Sequence, residues 1–318
     1  MRVLVTGGAG FIGANLCREL AARPEIDRVV ALDDLSTGRA ENLDDTGVEL
    51  VRASILDADV LTRLVGDTDA VVHLAARPSV PRSLADPVAS HDVNATGTVR
   101  VLEACRRESV HLVAASSSSV YGDVPHLPKH EDLPTRPLSP YGASKLATEA
   151  YTLAYGASFG LPVLAFRFFN VYGPLQPAGH AYAAVIPTFI DAALRREPLL
   201  IHGDGEQTRD FTFVGTVTGV LTDAVLRRVT SGEPVNLAFG TRVSLLELTR
   251  RLAVVLEEPV EVRHGPQRTG DVRDSQAADE RLCRLFPAAT AVPLDAGLER
   301  TVAWFRGRPA YAGSAATL

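Results

Sequence analysis

The strongest constraint on the fold is a series of short, nearly unbroken apolar runs separated by stretches of helical periodicity. The runs are RVLVTG (2–7), RVVALD (28–33), VELVRAS (48–54), AVVHLAA (70–76), HLVAASS (111–117) and VLAFRFFNV (163–171). They lack the strict apolar–polar alternation of a strand with one wet face, so they read as parallel strands covered on both sides. Between runs, FIGANLCRELAA places apolar residues at 11, 12, 16 and 20, and GTVRVLEACRRE at 99, 101, 102 and 105. That spacing is a helix with one buried stripe. Strand–helix alternation of this kind predicts an α/β fold with a doubly wound parallel sheet.

A chain of 318 residues is long for a single core, which predicts one large domain and a smaller lobe. The texture changes after about residue 172, where YGPLQPAGHAYAAVIP is rich in Gly, Pro and Ala. Residues 1–171 are therefore read as the sheet domain and 172–318 mainly as a smaller C-terminal α/β lobe. The stretch 211–240, with FTFV and PVNLAFG, is expected to return to the main sheet, and the last residues, RGRPAYAGSAATL, to form a frayed tail.

The formal net charge is −6, with Lys and Arg scattered rather than blocked, which argues against a nucleic-acid binder. No apolar run reaches bilayer length. The N-terminal run breaks at glycines and reads as a buried strand rather than a signal peptide. Cys17, Cys105 and Cys283 are far apart, and no CxxC spacing occurs. They read as reduced thiols of a cytoplasmic protein with no metal site.

VTGGAGFIG sets Gly7, Gly10 and Gly13 between the first predicted strand and the first predicted helix. Glycines there permit a tight turn and close approach of a pyrophosphate, and the helix start offers free N–H groups to the anion. Asp33 stands twenty residues after Gly13, at the end of the second predicted strand. A carboxylate at that place accepts bonds from both ribose hydroxyls and repels a 2′-phosphate, so the expected cofactor is NAD rather than NADP.

LSPYGASK holds the second chemical signal. Ser139 can cap a helix and Pro140 suits its first position. Tyr141 and Lys145 then share one face, one turn apart. An ordinary tyrosine has a pKa near ~10 and is a poor base at neutral pH. A neighbouring ammonium and the charge of an oxidised nicotinamide favour its phenolate, so the pair is expected to transfer a proton. Upstream, AASSSSVYGD leaves the fifth predicted strand, which points its serines into the ligand crevice.

These stretches, together with LDDLSTG, HLAARPSVPRS, RFFNVYGP, AYAAVIP, GDGEQTRDF and RTGDVRDS, resemble the extended short-chain dehydrogenase/reductase family over almost the whole chain. Within that family the likeness is to the nucleotide-sugar 4-epimerases. The resemblance implies a Rossmann sheet, NAD as cofactor, a UDP-sugar substrate, and Ser117, Tyr141 and Lys145 as catalytic residues. It implies cofactor contacts from Gly7, Gly10, Phe11, Ile12 and Gly13; from Asp33, Asp34, Ser36, Thr37 and Gly38; from Ser54, Ile55, Leu74, Ala75 and Ala76; and from Asn94, Tyr141, Lys145 and Phe168. Substrate contacts are implied for Ser79, Arg82, Ser117, Ser118, Tyr141, Asn170, Ala184 and Val185, for Leu200, Ile201 and His202 along a strand beside the uracil, and for Arg209, Arg268, Asp271 and Ser275. Arg209 and Arg268 would grip the diphosphate. A homodimer through the helix carrying YGASK and its upstream neighbour is also implied.

Two departures from the family pattern stand out. Ala53-Ser54 replaces the usual Gly-Asp after the third strand, so Ser54 keeps an acceptor for the adenine but no charge. Ala278 stands where an acidic residue is common. The family's gate beside C2 of the sugar falls on Ser275, and a small residue there, with Ala183 and Ala184, implies room for a 2-acetamido group. The expected reaction is C4 epimerisation of UDP-N-acetylglucosamine and UDP-N-acetylgalactosamine, with UDP-glucose and UDP-galactose tolerated. The alternatives are a UDP-uronic acid 4-epimerase or decarboxylase, with Arg82 or Arg77 meeting the carboxylate, a 4,6-dehydratase, and an NAD-binding regulatory protein. Ser118 and Ser119 stand where the dehydratases carry an acidic pair, and a hydroxyl is a poor acid or base for elimination.

Overall fold

The computed structural model describes residues 1–179, 183–267 and 272–311. The strands, in chain order, are β1 (Arg2–Thr6), β2 (Arg28–Asp33), β3 (Glu49–Arg52), β4 (Ala70–His73), β5 (His111–Ser117), β6 (Val163–Phe168) and β7 (Asn170–Tyr172). They continue as β8 (Leu199–His202), β9 (Thr208–Arg209), β10 (Phe211–Phe213), β11 (Val235–Leu237), β12 (Val243–Ser244) and β13 (Val262–Gly265).

Seven of them form one sheet in the order β11-β6-β5-β4-β1-β2-β3, with every neighbouring pair parallel. The fold is therefore the Rossmann-type α/β sheet. The order turns back between β1 and β4, and the carboxyl ends of the strands open a crevice at that point.

Successive side chains explain the unbroken apolar runs. Val3 and Val5 point into a cluster with Leu16, Leu20 and Leu221. Leu4, between them, points the other way, among Val30, Leu32, Val101 and Leu102. Helix Phe11–Ala21 covers the first face together with helix Val214–Leu226, and helix Gly97–Glu108 covers the second. The chain returns from its later half to supply β11, which pairs with β6 through Val235, Asn236 and Leu237.

The sixth apolar run is not one strand. It breaks at Phe169: Val163–Phe168 stays in the large sheet, while Asn170–Tyr172 pairs with β10. The chain thus changes partner where it leaves the sheet for the second lobe. That lobe has its own core, with Phe189, Ile190, Leu199, Ile201, Leu248, Leu252, Leu298 and Phe305 buried together. Its strands pair as β8 with β13 and β9 with β12. Among the described residues, no helix is long and apolar enough to cross a membrane.

Candidate active site

The glycine loop forms one wall of a cleft of about 330 Å³ at the sheet's carboxyl edge. Gly7 has φ +70°, and a Cβ there would lie 2.7 Å from the Ala75 amide nitrogen. Gly13 serves packing: a Cβ would come within 2.1 Å of the Gly7 carbonyl oxygen, so the helix could not seat on the turn. Gly10 starts the helix with no side-chain cap. The first-turn amides are thus left without a side-chain acceptor, which is the arrangement an anion requires. Gly7, Gly10, Phe11, Ile12 and Gly13 all line the cleft.

Asp33 ends β2 and is 8% exposed. Its carboxylate accepts the Ala9 amide at 3.0 Å and the Leu35 amide at 2.9 Å. Burial pushes the carboxyl above its ordinary range, and those hydrogen bonds oppose the push. Gly38 is not among the lining residues. A Cβ on it would lie 2.9 Å from both Asp33 oxygens, so it makes room for the carboxylate. Asp34, Ser36, Thr37, Ser54 and Ile55 line the same end of the cleft. The Ser54 hydroxyl accepts the Leu56 amide at 3.1 Å. Asp33→Ser should weaken NAD binding by about tenfold or more and admit NADP, because a carboxylate–ribose bond is lost and the repulsion of a 2′-phosphate goes with it. Calorimetric titration of both dinucleotides checks this, and unchanged affinities would reduce Asp33 to a packing residue.

At the other end, β5 delivers Ser117 and helix Pro140–Phe159 delivers Tyr141 and Lys145. The helix starts as its sequence predicts, with Pro140 in the first turn and the Ser139 hydroxyl accepting the Gly142 amide at 3.1 Å. Ser117, Tyr141 and Lys145 meet in the cleft. The Ser117 hydroxyl donates to the Ser119 hydroxyl and accepts the Ser119 amide, each at 3.1 Å; its nearness lowers the Tyr141 phenol pKa, but burial outweighs it and the net movement is upward. The expected depression of the phenol by the ammonium is therefore not what this environment produces. Burial acts on Lys145 too, bringing it down to about 8. Buried Lys145 and half-buried Tyr141, one turn apart, are each pushed toward neutrality, a state that an incoming charged ligand can reverse.

Leu74, Ala75, Ala76 and Phe168 line the cleft between these ends. Asn94 does not. Its side chain accepts the Arg77 amide at 2.7 Å and donates to the Ser144 hydroxyl at 2.9 Å, tying the loop after β4 to the tyrosine helix. A buried chain runs alongside: Thr6 Oγ1 to His73 Nδ1 at 2.7 Å, His73 Nε2 to Thr98 Oγ1 at 3.0 Å, and Thr98 to Thr148 at 3.2 Å. Burial, aided by the Lys145 charge, brings His73 down to about 3, so its ring is neutral. Sequence reasoning passed over Ser116, Phe169, Val171 and Gln176, which also line the cleft. Their signal was position alone, beside residues already named at the ends of β5 and β6.

Of the substrate-side residues, Ser117 and Tyr141 line the cleft, and Asn170, Arg209 and Ser275 are joined by backbone bonds. The Asn170 amide donates to the Asp210 carbonyl at 3.2 Å, and the Ser275 amide to the Thr208 carbonyl at 3.1 Å. Arg209 lies between these two rungs and donates to the carbonyls of Thr208 and Arg273. The buried Asp210 carboxylate accepts Thr241 Oγ1 at 2.8 Å and the Ala277 amide at 3.0 Å, which fixes the segment. Ser79, at φ +98°, caps the short helix that carries Arg82. Ser118 follows β5 directly, and Ala184 precedes helix Val185–Leu194. On β8, Leu200 is half exposed and the His202 ring bonds the Pro266 carbonyl, but Ile201 is fully buried in the lobe core. Only its backbone is left for a ligand. Arg268 and Asp271 lie outside the described residues. Among the described residues, no cluster of His, Cys, Asp or Glu is placed to hold a metal ion.

The NAD dependent epimerase/dehydratase family model matches residues 3–238. A Mycolicibacterium smegmatis protein named UDP-glucose 4-epimerase is 40% identical over 319 residues, which is 97% of this chain and 99% of that one. Among solved structures, a UDP-N-acetylglucosamine 4-epimerase from Methanobrevibacter ruminantium, in complex with UDP-N-acetylmuramic acid, superposes with a TM-score of 0.91 at 34% identity, covering 96% of this chain and 97% of that one. A Thermus thermophilus UDP-glucose 4-epimerase complexed with NAD gives a TM-score of 0.87 at 36% identity, covering 96% and 99%. With the glycine loop, Asp33 and the Tyr141–Lys145 pair in one cleft, the chain belongs to the NAD-dependent epimerase/dehydratase family, and NAD is its cofactor.

Proposed function

We propose that the chain is an NAD-dependent nucleotide-sugar 4-epimerase that interconverts UDP-N-acetylglucosamine and UDP-N-acetylgalactosamine and tolerates UDP-glucose and UDP-galactose. One observation carries the reaction type: Ser117, Tyr141 and Lys145 line the same cleft as the glycine loop. The names of the similar proteins support C4 inversion of UDP-sugars.

Residues fit the cofactor along its whole length. The uncapped helix start would hold its pyrophosphate, Asp33 its ribose, and Lys145 the nicotinamide ribose. NAD, when bound, would supply reversible hydride transfer at C4. The chain's own groups move the proton. Ser117 bonds the C4 hydroxyl and passes its proton toward Tyr141 Oη; Lys145 holds positive charge beside the phenol. Thr208–Asp210, with the Arg209 guanidinium, holds the nucleotide end while the sugar turns.

The small side chain of Ser275, beside the Arg209 strand, supports the acetamido sugar. The dehydratase alternative lacks its acid, since Ser118 and Ser119 are hydroxyls. A uronic-acid carboxylate would compete for Arg77 with Asp86, which stands 3.2 Å from that guanidinium. The reading includes a cytoplasmic location, supported by three free thiols. It also includes a homodimer through helices Gly97–Glu108 and Pro140–Phe159, supported by the exposed Tyr151 and Phe159 on the latter.

A panel of UDP-glucose, UDP-N-acetylglucosamine and their uronic acids, followed by anomeric-proton NMR without added cofactor, tests the activity. Inversion of the acetamido sugars is expected, and no turnover of any UDP-sugar would sink the reading. Ser275→Tyr should depress turnover of the acetamido sugars at least about tenfold more than that of UDP-glucose, since only they need the vacated volume. Equal losses would show that residue 275 is no gate.

A further inference from the structure

Proton transfer between Ser117 and Tyr141 depends on the gap between two separate elements. Ser117 is the last residue of β5, and Tyr141 lies in the first turn of helix Pro140–Phe159. We propose that Ser116, Glu149 and Arg167 form a positioning tie that sets this gap. The proposal rests on Ser117 and Tyr141 being the proton-transfer pair.

Tyr141, Lys145 and Glu149 follow one another at intervals of four, so they share one face of the helix. The Glu149 carboxylate is buried and fully engaged. Arg167, on β6, forks onto it with Nη2 at 2.6 Å and Nε at 2.9 Å. The Ser116 hydroxyl donates to the same carboxylate at 2.8 Å and lies 3.3 Å from the Lys145 carbonyl. The residue immediately before Ser117 is thus bonded to the turn immediately after Lys145. Arg167 carries the anchorage outward. Its guanidinium lies 4.7 Å from the centre of the Tyr121 ring, and the Tyr121 hydroxyl donates to Asn236 on β11 at 2.7 Å.

Stability alone does not account for such a pair. A buried ion pair can often be exchanged for apolar side chains of similar volume without loss of stability, whereas its fixed geometry is not reproduced by them. The pair has an electrostatic consequence as well. With its charge committed to Arg167, Glu149 is not a counter-ion for Lys145, whose ammonium stays available to a ligand.

Ser116→Ala is the first test, because it cuts the tie and leaves the ion pair whole. It should lower kcat by about ten- to a hundredfold, as expected for a small misplacement of reacting groups. KM for the UDP-sugar and the Kd for NAD should stay within about twofold, and Tm should hold. Since Ser116 also lines the cleft, an unchanged KM separates positioning from direct substrate contact. The paired Glu149→Leu, Arg167→Met variant should bind NAD normally and lose at least as much kcat; Ser116→Ala decides alone if that pair does not fold. A Ser116→Ala enzyme with wild-type kcat, or one in which kcat and Tm fall while KM rises, overturns the tie. Tyr141→Phe measured alongside separates the two readings. If it is inactive while Ser116→Ala runs at full rate, only the tie fails. If it is active, the proton-transfer pair fails and the tie with it.

Discussion

Tyr141→Phe is expected to cut epimerisation by about three orders of magnitude, the upper range for loss of a positioned acid–base group. NAD binding and Tm should hardly move. The ring keeps its packing in the half-buried first turn, and the helix keeps its Ser139 cap and its proline. What disappears is one hydroxyl, the neighbour of Ser117. Burial holds that phenol above its ordinary pKa, and positive charge entering the cleft would oppose that push. Anomeric-proton NMR of the variant with UDP-N-acetylglucosamine gives the answer. Retention of more than about a tenth of the activity would exclude Tyr141 as the proton carrier.

Lys145→Ala should lose both rate and cofactor. The side chain is 5% exposed, and burial has brought its ammonium down to about 8. At pH 7 the ammonium is still the main form. Its loss removes the positive neighbour of the phenol and a donor to the nicotinamide ribose, so kcat/KM should fall by about a hundredfold or more and NAD affinity by about tenfold. The wild-type enzyme should also bind NAD more weakly as pH rises through about 8, while the variant's affinity should be flat there. Titration at pH 7 and pH 9 tests both statements. Normal NAD affinity without activity would confine Lys145 to the phenol.

The sheet was readable because burial on both faces leaves no room for polar residues: Val3, Leu4 and Val5 had to be apolar in succession. The glycine loop, Asp33 and the helix start at Ser139 were readable because each demands a particular side chain at a particular spacing. Asn94 and Gly38 were assigned to the cofactor from resemblance; what the structure adds is that one ties a loop and the other makes room for a carboxylate. Composition does not distinguish touching a ligand from shaping the wall behind it. The break at Phe169 was hidden because both pieces of the sixth run are apolar, and only the change of partner separates them. Ser116, Glu149 and Arg167 were hidden for another reason. Their meeting depends on three elements far apart in the chain, and a Ser, a Glu and an Arg look individually like solvated residues.

The late return of the chain to the large sheet makes this enzyme indivisible. Cutting after the first six strands would look natural from the nucleotide-binding motifs, which all lie before that point. Such a fragment would bare the outer edge of β6 from Phe166 to Phe168, where β11 now pairs. It would also strip helix Val214–Leu226 from the cluster containing Leu16 and Leu20. An open edge beside an uncovered apolar face is a template for aggregation. Arg167 would lose more than a neighbour: the ring beneath it is hydrogen-bonded to Asn236, which the cut would remove. The last piece of the dinucleotide fold to leave the ribosome is therefore one of its structural walls, and the cofactor domain cannot be complete until most of the chain has been made.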